Sequence, residues 1–135
     1  MKIKVINGFF ERGIVQETSF VKLAKSNQLP VRLSYWFSKL LQQLIPLEKL
    51  YLEQKQKLIE KWCDRNEDGT ISTNENGTIR FTEHLKEFNV DITELLNIEN
   101  ELPIEKIELC LDDIPTGIIN SYDYAGMEMF VNLIV

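Results

Sequence analysis

Residues 31–63 read VRLSYWFSKLLQQLIPLEKLYLEQKQKLIEKWC, and this stretch decides the fold. Its apolar side chains return every three or four positions, which is the spacing of one buried face on an α-helix. Pro46 interrupts the pattern, because an interior proline removes a backbone hydrogen bond and costs about 3 kcal/mol. We therefore predict a long amphipathic helix over about residues 31–62, kinked or divided at Pro46. Its predicted inward side chains are Leu33, Trp36, Phe37, Leu40, Leu41, Leu44, Leu47, Tyr51, Leu58 and Trp62.

The sequence changes character directly after this helix. Asp68-Gly69 and Asn76-Gly77 are turn dipeptides, and Thr-Ile follows each of them. Such dipeptides favour tight turns, because glycine adopts a positive φ without steric cost. We predict a surface β-hairpin over about residues 69–81.

Two segments have the alternating pattern of half-buried strands. One is the N-terminal run Lys2 to Val5, and the other is residues 105–111, where isoleucine and leucine alternate with polar side chains. We expect them to pair in a small sheet, with Lys2 and Lys4 facing Glu105 and Glu108.

Two further helices are predicted. Thr82 is a candidate cap for the first, which we expect to end before Pro103. Ser121 is a candidate cap for the last. The predicted inward side chains are Leu85, Phe88, Ile92, Leu95 and Leu96 in the first helix, and Tyr124, Met127, Phe130, Val131 and Ile134 in the last. The chain thus reads as a single α+β domain over residues 1–135, mostly helical and without a recognised repeat.

Composition excludes several classes of protein. The net charge of −6 is uneven: residues 1–63 hold eleven Lys and Arg against five Asp and Glu, while residues 64–135 hold four against sixteen. An acidic half repels phosphates, which argues against nucleic-acid binding, and we expect the two halves to complement each other. No apolar run approaches the ~20 residues that cross a bilayer. We therefore expect no membrane contact, a location in the host cytoplasm or a virion, and unpaired thiols at Cys63 and Cys110.

Residues 64–75 match much of a calcium-binding loop. The seven matching residues fall at positions 1, 3, 5, 6, 8, 9 and 12 of an EF-hand; they are Asp64, Asn66, Asp68, Gly69, Ile71, Ser72 and Glu75. The exit side does not match, because Glu75 should open an outgoing helix and Asn76-Gly77 follows instead. Calcium binding therefore stays an alternative to a metal-free hairpin.

Catalytic patterns are weak in this sequence. His84 is the single histidine, so a zinc site or a nucleophile-base pair would depend on it alone. We expect it on the exposed side of a helix. Asp112-Asp113 is a candidate acid-base or metal pair, but adjacent strand residues point to opposite faces. We predict no enzyme activity, no catalytic residues and no cofactor or small-molecule substrate.

Five segments follow one another along the chain: residues 29–38 (LPVRLSYWFS), 57–62 (KLIEKW), the Asp/Asn/Gly-rich hairpin, residues 88–98 and the helix after Ser121. This order of elements resembles small proteins of tailed phages that form a domain-of-unknown-function group. The resemblance implies no enzyme activity and supplies no functional residues. We therefore expect a phage-type accessory protein that acts by protein–protein contacts, as a virion component or as a modulator of a host protein. The candidate contact surfaces are the polar face of helix 31–62 and the hairpin region 64–81.

Overall fold

The computed structural model describes residues 2–12, 24–114 and 128–134. Their helices and strands confirm the predicted α+β class. In chain order the elements are β1 (Lys2–Ile6), a 3-10 turn (Asn7–Arg12), α1 (Val31–Trp62), α2 (Leu85–Leu96), β2 (Glu99–Glu105), β3 (Ile107–Cys110), a second 3-10 turn (Leu111–Asp113) and β4 (Val131–Ile134).

The long helix α1 supplies one wall of the core. It begins after Pro30, whose carbonyl oxygen accepts a hydrogen bond from the Ser34 amide at 3.0 Å, and it ends at Cys63. It runs undivided through Pro46, an exposed position. Its fully buried residues repeat at helical spacing, as predicted, and are Leu33, Phe37, Leu40, Leu44 and Tyr51.

One hydrophobic cluster joins α1 to the strands, the first 3-10 turn and α2. Burial of these side chains is the main favourable contribution to folding, at about 25 cal/mol per Å² of apolar surface. From outside α1 the cluster takes Ile3, Val5, Phe10, Leu29, Leu95, Leu102, Ile104, Ile107, Leu109, Phe130 and Val131.

The predicted partner of β1 was only partly right. β1 runs antiparallel to β2, not to a strand over residues 105–111. Lys2 faces Glu105 as predicted, but Lys4 faces Glu101 and forms an ion pair with Glu99 at 3.6 Å. The register shifts between Lys2 and Lys4, opposite the part of β2 that contains Pro103. Since proline has no N–H to donate, it is confined to edge strands and bulges within sheets. Pro103 lies inside β2, whereas we predicted a strand that begins after it, at residue 105.

The prediction of a helix at residues 131–134 was wrong. Residues 131–134 form β4, which pairs in parallel with β3, whereas we predicted that they continue a helix from Ser121. Residues 121–127 lie outside the described part of the chain, and so do 13–23. Phe130 and Val131 are buried as predicted, but a strand and its preceding turn bury them. A short apolar run has no periodicity long enough to distinguish a strand from a helix.

Helix α2 packs beside the C-terminal end of α1. The Trp62 indole N–H donates to the Asp91 carboxylate at 2.7 Å, and Phe81 stacks on Phe88 with ring centroids 4.4 Å apart. The predicted cap was wrong, because α2 begins at Leu85 and Thr82 lies outside it. Leu85 is also exposed, although we predicted that it faces inward.

Candidate interaction surfaces

Residues 64–80 form a unit of two tight turns between α1 and α2, which we call the double turn. Its sequence repeats after eight positions: residues 66–71 read NEDGTI and residues 74–79 read NENGTI. The full repeat can be read from the letters alone, although we predicted only the two turn dipeptides and the Thr-Ile after each. Antiparallel bridges join Arg65 to Ile71 and Thr73 to Ile79. The second bridge lies inside the hairpin predicted over 69–81, and the first joins a residue before that range to one within it.

The two turns have the same backbone hydrogen bonds. In the first, the Asn66 amide donates to the Thr70 carbonyl at 2.8 Å and the Gly69 amide donates to the Asn66 carbonyl at 2.9 Å. In the second, Asn74, Thr78 and Gly77 make the equivalent bonds at 2.8 and 3.0 Å. Both glycines have a positive φ, +86° and +84°, the conformation that favours glycine.

A ring of three backbone hydrogen bonds closes the base of the double turn. The Ser72 amide donates to the Asp64 carbonyl, Arg80 donates to Ser72, and Asp64 donates to Arg80, at 2.9, 3.0 and 2.9 Å. Because Asp64 bonds to Arg80, the chain enters and leaves the unit side by side. The turns therefore project as one hydrogen-bonded body, and residues 66–70 and 73–78 are exposed.

Asp64 joins the double turn to the segment before α2. Its carboxylate accepts hydrogen bonds from the Thr82 hydroxyl at 2.5 Å and from the Thr82 amide at 3.0 Å, with the Glu83 amide at 3.5 Å. Arg80 lies 3.7 Å from the same carboxylate. The Thr82 hydroxyl, then its amide, holds the pKa of Asp64 below its usual value, because these donors favour the charged form.

The residues of the EF-hand match are placed in two different turns. Asp68 accepts from the Thr70 hydroxyl at 2.6 Å and from its amide at 3.0 Å, and the hydroxyl bond lowers the pKa of Asp68. Glu75 lies in the second turn, where bridge and turn follow it instead of a helix. At Asp64, calcium would compete with the Thr82 donors for the carboxylate oxygens. Within the described ranges, no group of three or more His, Cys, Asp or Glu side chains could hold a metal ion.

The structure separates the other candidate site residues by element. His84 precedes α2, half buried, with its ring 5.3 Å from that of Trp62 and its Nδ1 3.8 Å from the Glu87 carboxylate. Asp112 and Asp113 are exposed in the 3-10 turn after β3. Cys63 and Cys110 are free thiols, the first buried and the second half buried.

The solvent side of α1, which we predicted to be a polar face, also carries exposed apolar side chains. Positions 31, 35, 38, 42, 45, 49 and 52 alternate steps of four and three, the spacing of a coiled-coil seam. Four of them are apolar and 43% to 86% exposed: Val31, Tyr35, Ile45 and Leu52. We call this set of seven positions the outer stripe; Ser38 within it is half buried, and its hydroxyl donates to the Ala24 carbonyl oxygen at 3.5 Å. The buried face of α1 has more apolar residues than the outer stripe. Its stronger helical pattern dominates the sequence, and for this reason we predicted a polar face on the solvent side.

Charged side chains of both signs lie in and beside the C-terminal part of the outer stripe, from Ile45 to Leu52. Lys49 lies between Ile45 and Leu52, and Glu48 and Glu53 flank it. Glu48, Lys49 and Glu53 line a shallow depression together with Ile45, Leu52 and Gln56. This shallow depression, in which three of the six lining residues are charged, differs from the concave, mostly apolar sites that hold small molecules.

No family model matches the chain, and neither a curated protein nor a solved structure does. Among the helices within the described residues, none is long and apolar enough to cross a membrane.

Proposed function

We propose that this chain is a non-enzymatic, phage-type accessory protein that acts by protein–protein contacts in the host cytoplasm or in a virion. The observation that carries the proposal is the outer stripe of α1. Apolar surface that is exposed to water is less stable than buried apolar surface by about 25 cal/mol per Å². A partner surface that covers these side chains is therefore favoured. The bend predicted at Pro46 belongs to the proposal, since it would set the direction of the stripe.

The partner is a second copy of the chain, joined along the outer stripe. A seam with a 3.5-residue repeat accepts another helix with the same repeat. Lys49 interrupts the apolar positions, and a lysine at such a position fixes register and orientation at a cost in stability. In an antiparallel pair centred near residue 50, Lys49 of each copy can reach Glu48 or Glu53 of the other, and Ile45 of each copy lies near Leu52 of the other. A two-fold contact of this kind is self-complementary, the commonest symmetry of homo-oligomers.

The double turn is the second contact surface in this proposal. Its base is fixed by the backbone ring, and its tips project without apolar side chains. The double turn would contribute hydrogen bonds and charges at the rim of an interface. There, complementary shape and opposite charge determine which partner binds. A host protein that binds the double turn is the version of the proposal in which the chain modulates its host.

Sedimentation velocity over a concentration series tests the role of the outer stripe. We expect the wild-type chain to associate and the Ile45→Gln/Leu52→Gln variant to sediment as a monomer. Leu50→Gln is the matched control, because Leu50 is 52% exposed on the same helix but lies outside the stripe. A wild-type chain that stays monomeric at every concentration contradicts the second-copy partner and leaves a host protein as the partner to test.

A further inference from the structure

The chain contains the dipeptide Asn-Gly twice, in opposite environments. Asn76-Gly77 lies at the exposed tip of the second turn. Asn7-Gly8 begins the first 3-10 turn, where Asn7 is 7% exposed. Asn-Gly is the dipeptide most open to attack of a backbone nitrogen on the preceding side-chain amide, because glycine has no side chain to hinder it. The molecule therefore holds one candidate reaction site and one internal control.

The second turn polarises the side-chain amide of Asn76. Its Oδ1 accepts hydrogen bonds from the Thr78 hydroxyl at 2.6 Å and from the Thr78 amide at 3.1 Å. Two donors on one carbonyl oxygen stabilise the negative charge that develops when its carbon is attacked, as in an oxyanion hole. The space around Gly77 is open, with nothing within 4 Å of the position where a Cβ would lie. We propose that Asn76 is a site of spontaneous deamidation, promoted by Thr78.

The reaction needs water and no other reactant. The Gly77 nitrogen loses its proton to solvent and attacks Cγ of Asn76, so that a nitrogen–carbon bond forms and charge collects on Oδ1. Collapse of this intermediate breaks the Cγ–Nδ2 bond, and ammonia leaves with a proton from solvent. Water then opens the resulting succinimide to aspartate, linked through its α- or β-carboxyl. The Gly77 amide first has to release its hydrogen bond to the Asn74 carbonyl at 3.0 Å, in a turn exposed to water.

The first turn shows how the α-linked product fits. Asp68 occupies the position equivalent to Asn76 and accepts from the Thr70 hydroxyl and amide at 2.6 and 3.0 Å, nearly the distances found at Asn76. Aspartate at position 76 keeps these bonds. Deamidation therefore makes the two turns alike in charge and changes the net charge from −6 to one unit more negative.

The side-chain amide of Asn7, in contrast, is buried and hydrogen-bonded through both its nitrogen and its oxygen. Its Nδ2 donates to the Leu95 carbonyl at 2.9 Å, and its Oδ1 accepts from the Asn100 amide group at 2.9 Å. A side chain held at both ends and buried cannot turn its Cγ toward the next nitrogen without breaking native contacts. Folding therefore protects Asn7 and leaves Asn76 reactive.

Peptide mapping by mass spectrometry during incubation of the folded protein at mildly alkaline pH tests the assignment. We expect aspartate and isoaspartate to accumulate at Asn76 while Asn7 stays intact, and both sites to convert after unfolding in denaturant. Asp68→Asn creates the same tip in the first turn and should add a second reactive site at a similar rate. Equal conversion of Asn76 and Asn7 in the folded chain, or an unreactive Asn76, overturns the proposal.

A variant of Thr78 tests the promoting group. Thr78→Val keeps the shape of the side chain and removes the hydroxyl donor, so deamidation of Asn76 should slow by up to about 100-fold, the loss seen when an enzyme loses one oxyanion donor. Thr70→Val in the first turn is the matched control and should leave the rate at Asn76 unchanged. A Thr78→Val variant that converts as fast as the wild type rules out this role of the hydroxyl.

Discussion

Asp64 links stability to pH. Its folded pKa lies below the ordinary value, chiefly through the Thr82 hydroxyl, so its contribution is complete above the unfolded pKa of about 3.9 and is lost as pH falls through the folded pKa. We expect Asp64→Asn to lower the free energy of unfolding at pH 7. Denaturant unfolding of both proteins along a pH series should show the difference shrinking in acid.

Glu67→Gln is the control for this prediction, since Glu67 is an exposed carboxylate in the same double turn. It should change stability little at any pH. A difference between wild type and Asp64→Asn that stays constant down to strongly acidic pH would show that shape, not charge, gives Asp64 its role.

Gly69 and Gly77 should resist substitution even though the space around them is empty. Their φ values, +86° and +84°, place a Cβ too close to the following carbonyl, so alanine at either site should cost about 1–2 kcal/mol in chemical denaturation. Gly8→Ala is the control. Its new Cβ would meet the Leu96 carbonyl oxygen at an ordinary 3.5 Å, and Gly8 has no positive φ. Equal, small losses at all three positions would contradict the strain argument.

Structural roles that depend on a residue's own backbone preference could be predicted from the sequence, and roles that depend on a distant partner could not. The glycine turns could be read from dipeptides, since the requirement for a positive φ lies in the residue itself. The hydrogen bonds of Asp64 could not, because its partner Thr82 is eighteen positions away and only the closed double turn brings them together. Thr82 was instead assigned to α2 by its resemblance to a helix cap.

At the scale of elements, Pro46 is a position where α1 can be improved. A proline in a helix interior removes one hydrogen bond and costs about 3 kcal/mol, and Pro46 is exposed, so no core packing depends on its ring. We expect Pro46→Ala to raise the free energy of unfolding by up to about 3 kcal/mol, measured with urea. Lys57→Ala, at an exposed position of the same helix outside the outer stripe, keeps the proline and should stay within about 0.5 kcal/mol. A destabilised Pro46→Ala variant would show that the native helix needs the proline geometry.

The elements differ in how well the sequence predicts them. Helix α1 has nine turns of repeated pattern and was placed at its observed bounds. The four-residue strands β3 and β4 depend on each other through tertiary pairing, so β4 was misread as helix. The register of β1 depends on a strand irregularity near Pro103 that no pairwise charge pattern reveals.

For the whole molecule, the uneven charge is partly resolved within the fold. β1 comes from the basic half and β2 from the acidic half, and their pairing brings Lys2 opposite Glu105 and Lys4 to Glu99. Arg32 also donates to the carbonyl of Glu108 at 3.0 Å. The predicted complementarity of the two halves thus has a structural counterpart where β1 pairs with β2. Within the described residues, this pairing does not involve Lys49, Glu48 or Glu53, which our proposal assigns to contact with another copy.

Mixing two charge-swapped variants tests that contact most directly. Lys49→Glu should not associate alone, because it places glutamate against Glu48 and Glu53 of the other copy, and Glu48→Lys/Glu53→Lys should fail alone because it opposes lysines. In an equimolar mixture, sedimentation velocity should show a one-to-one complex, since every facing charge is then of opposite sign. Two variants that associate as well alone as the wild type does, or a mixture that stays monomeric while the wild type associates, would contradict an antiparallel contact along the outer stripe.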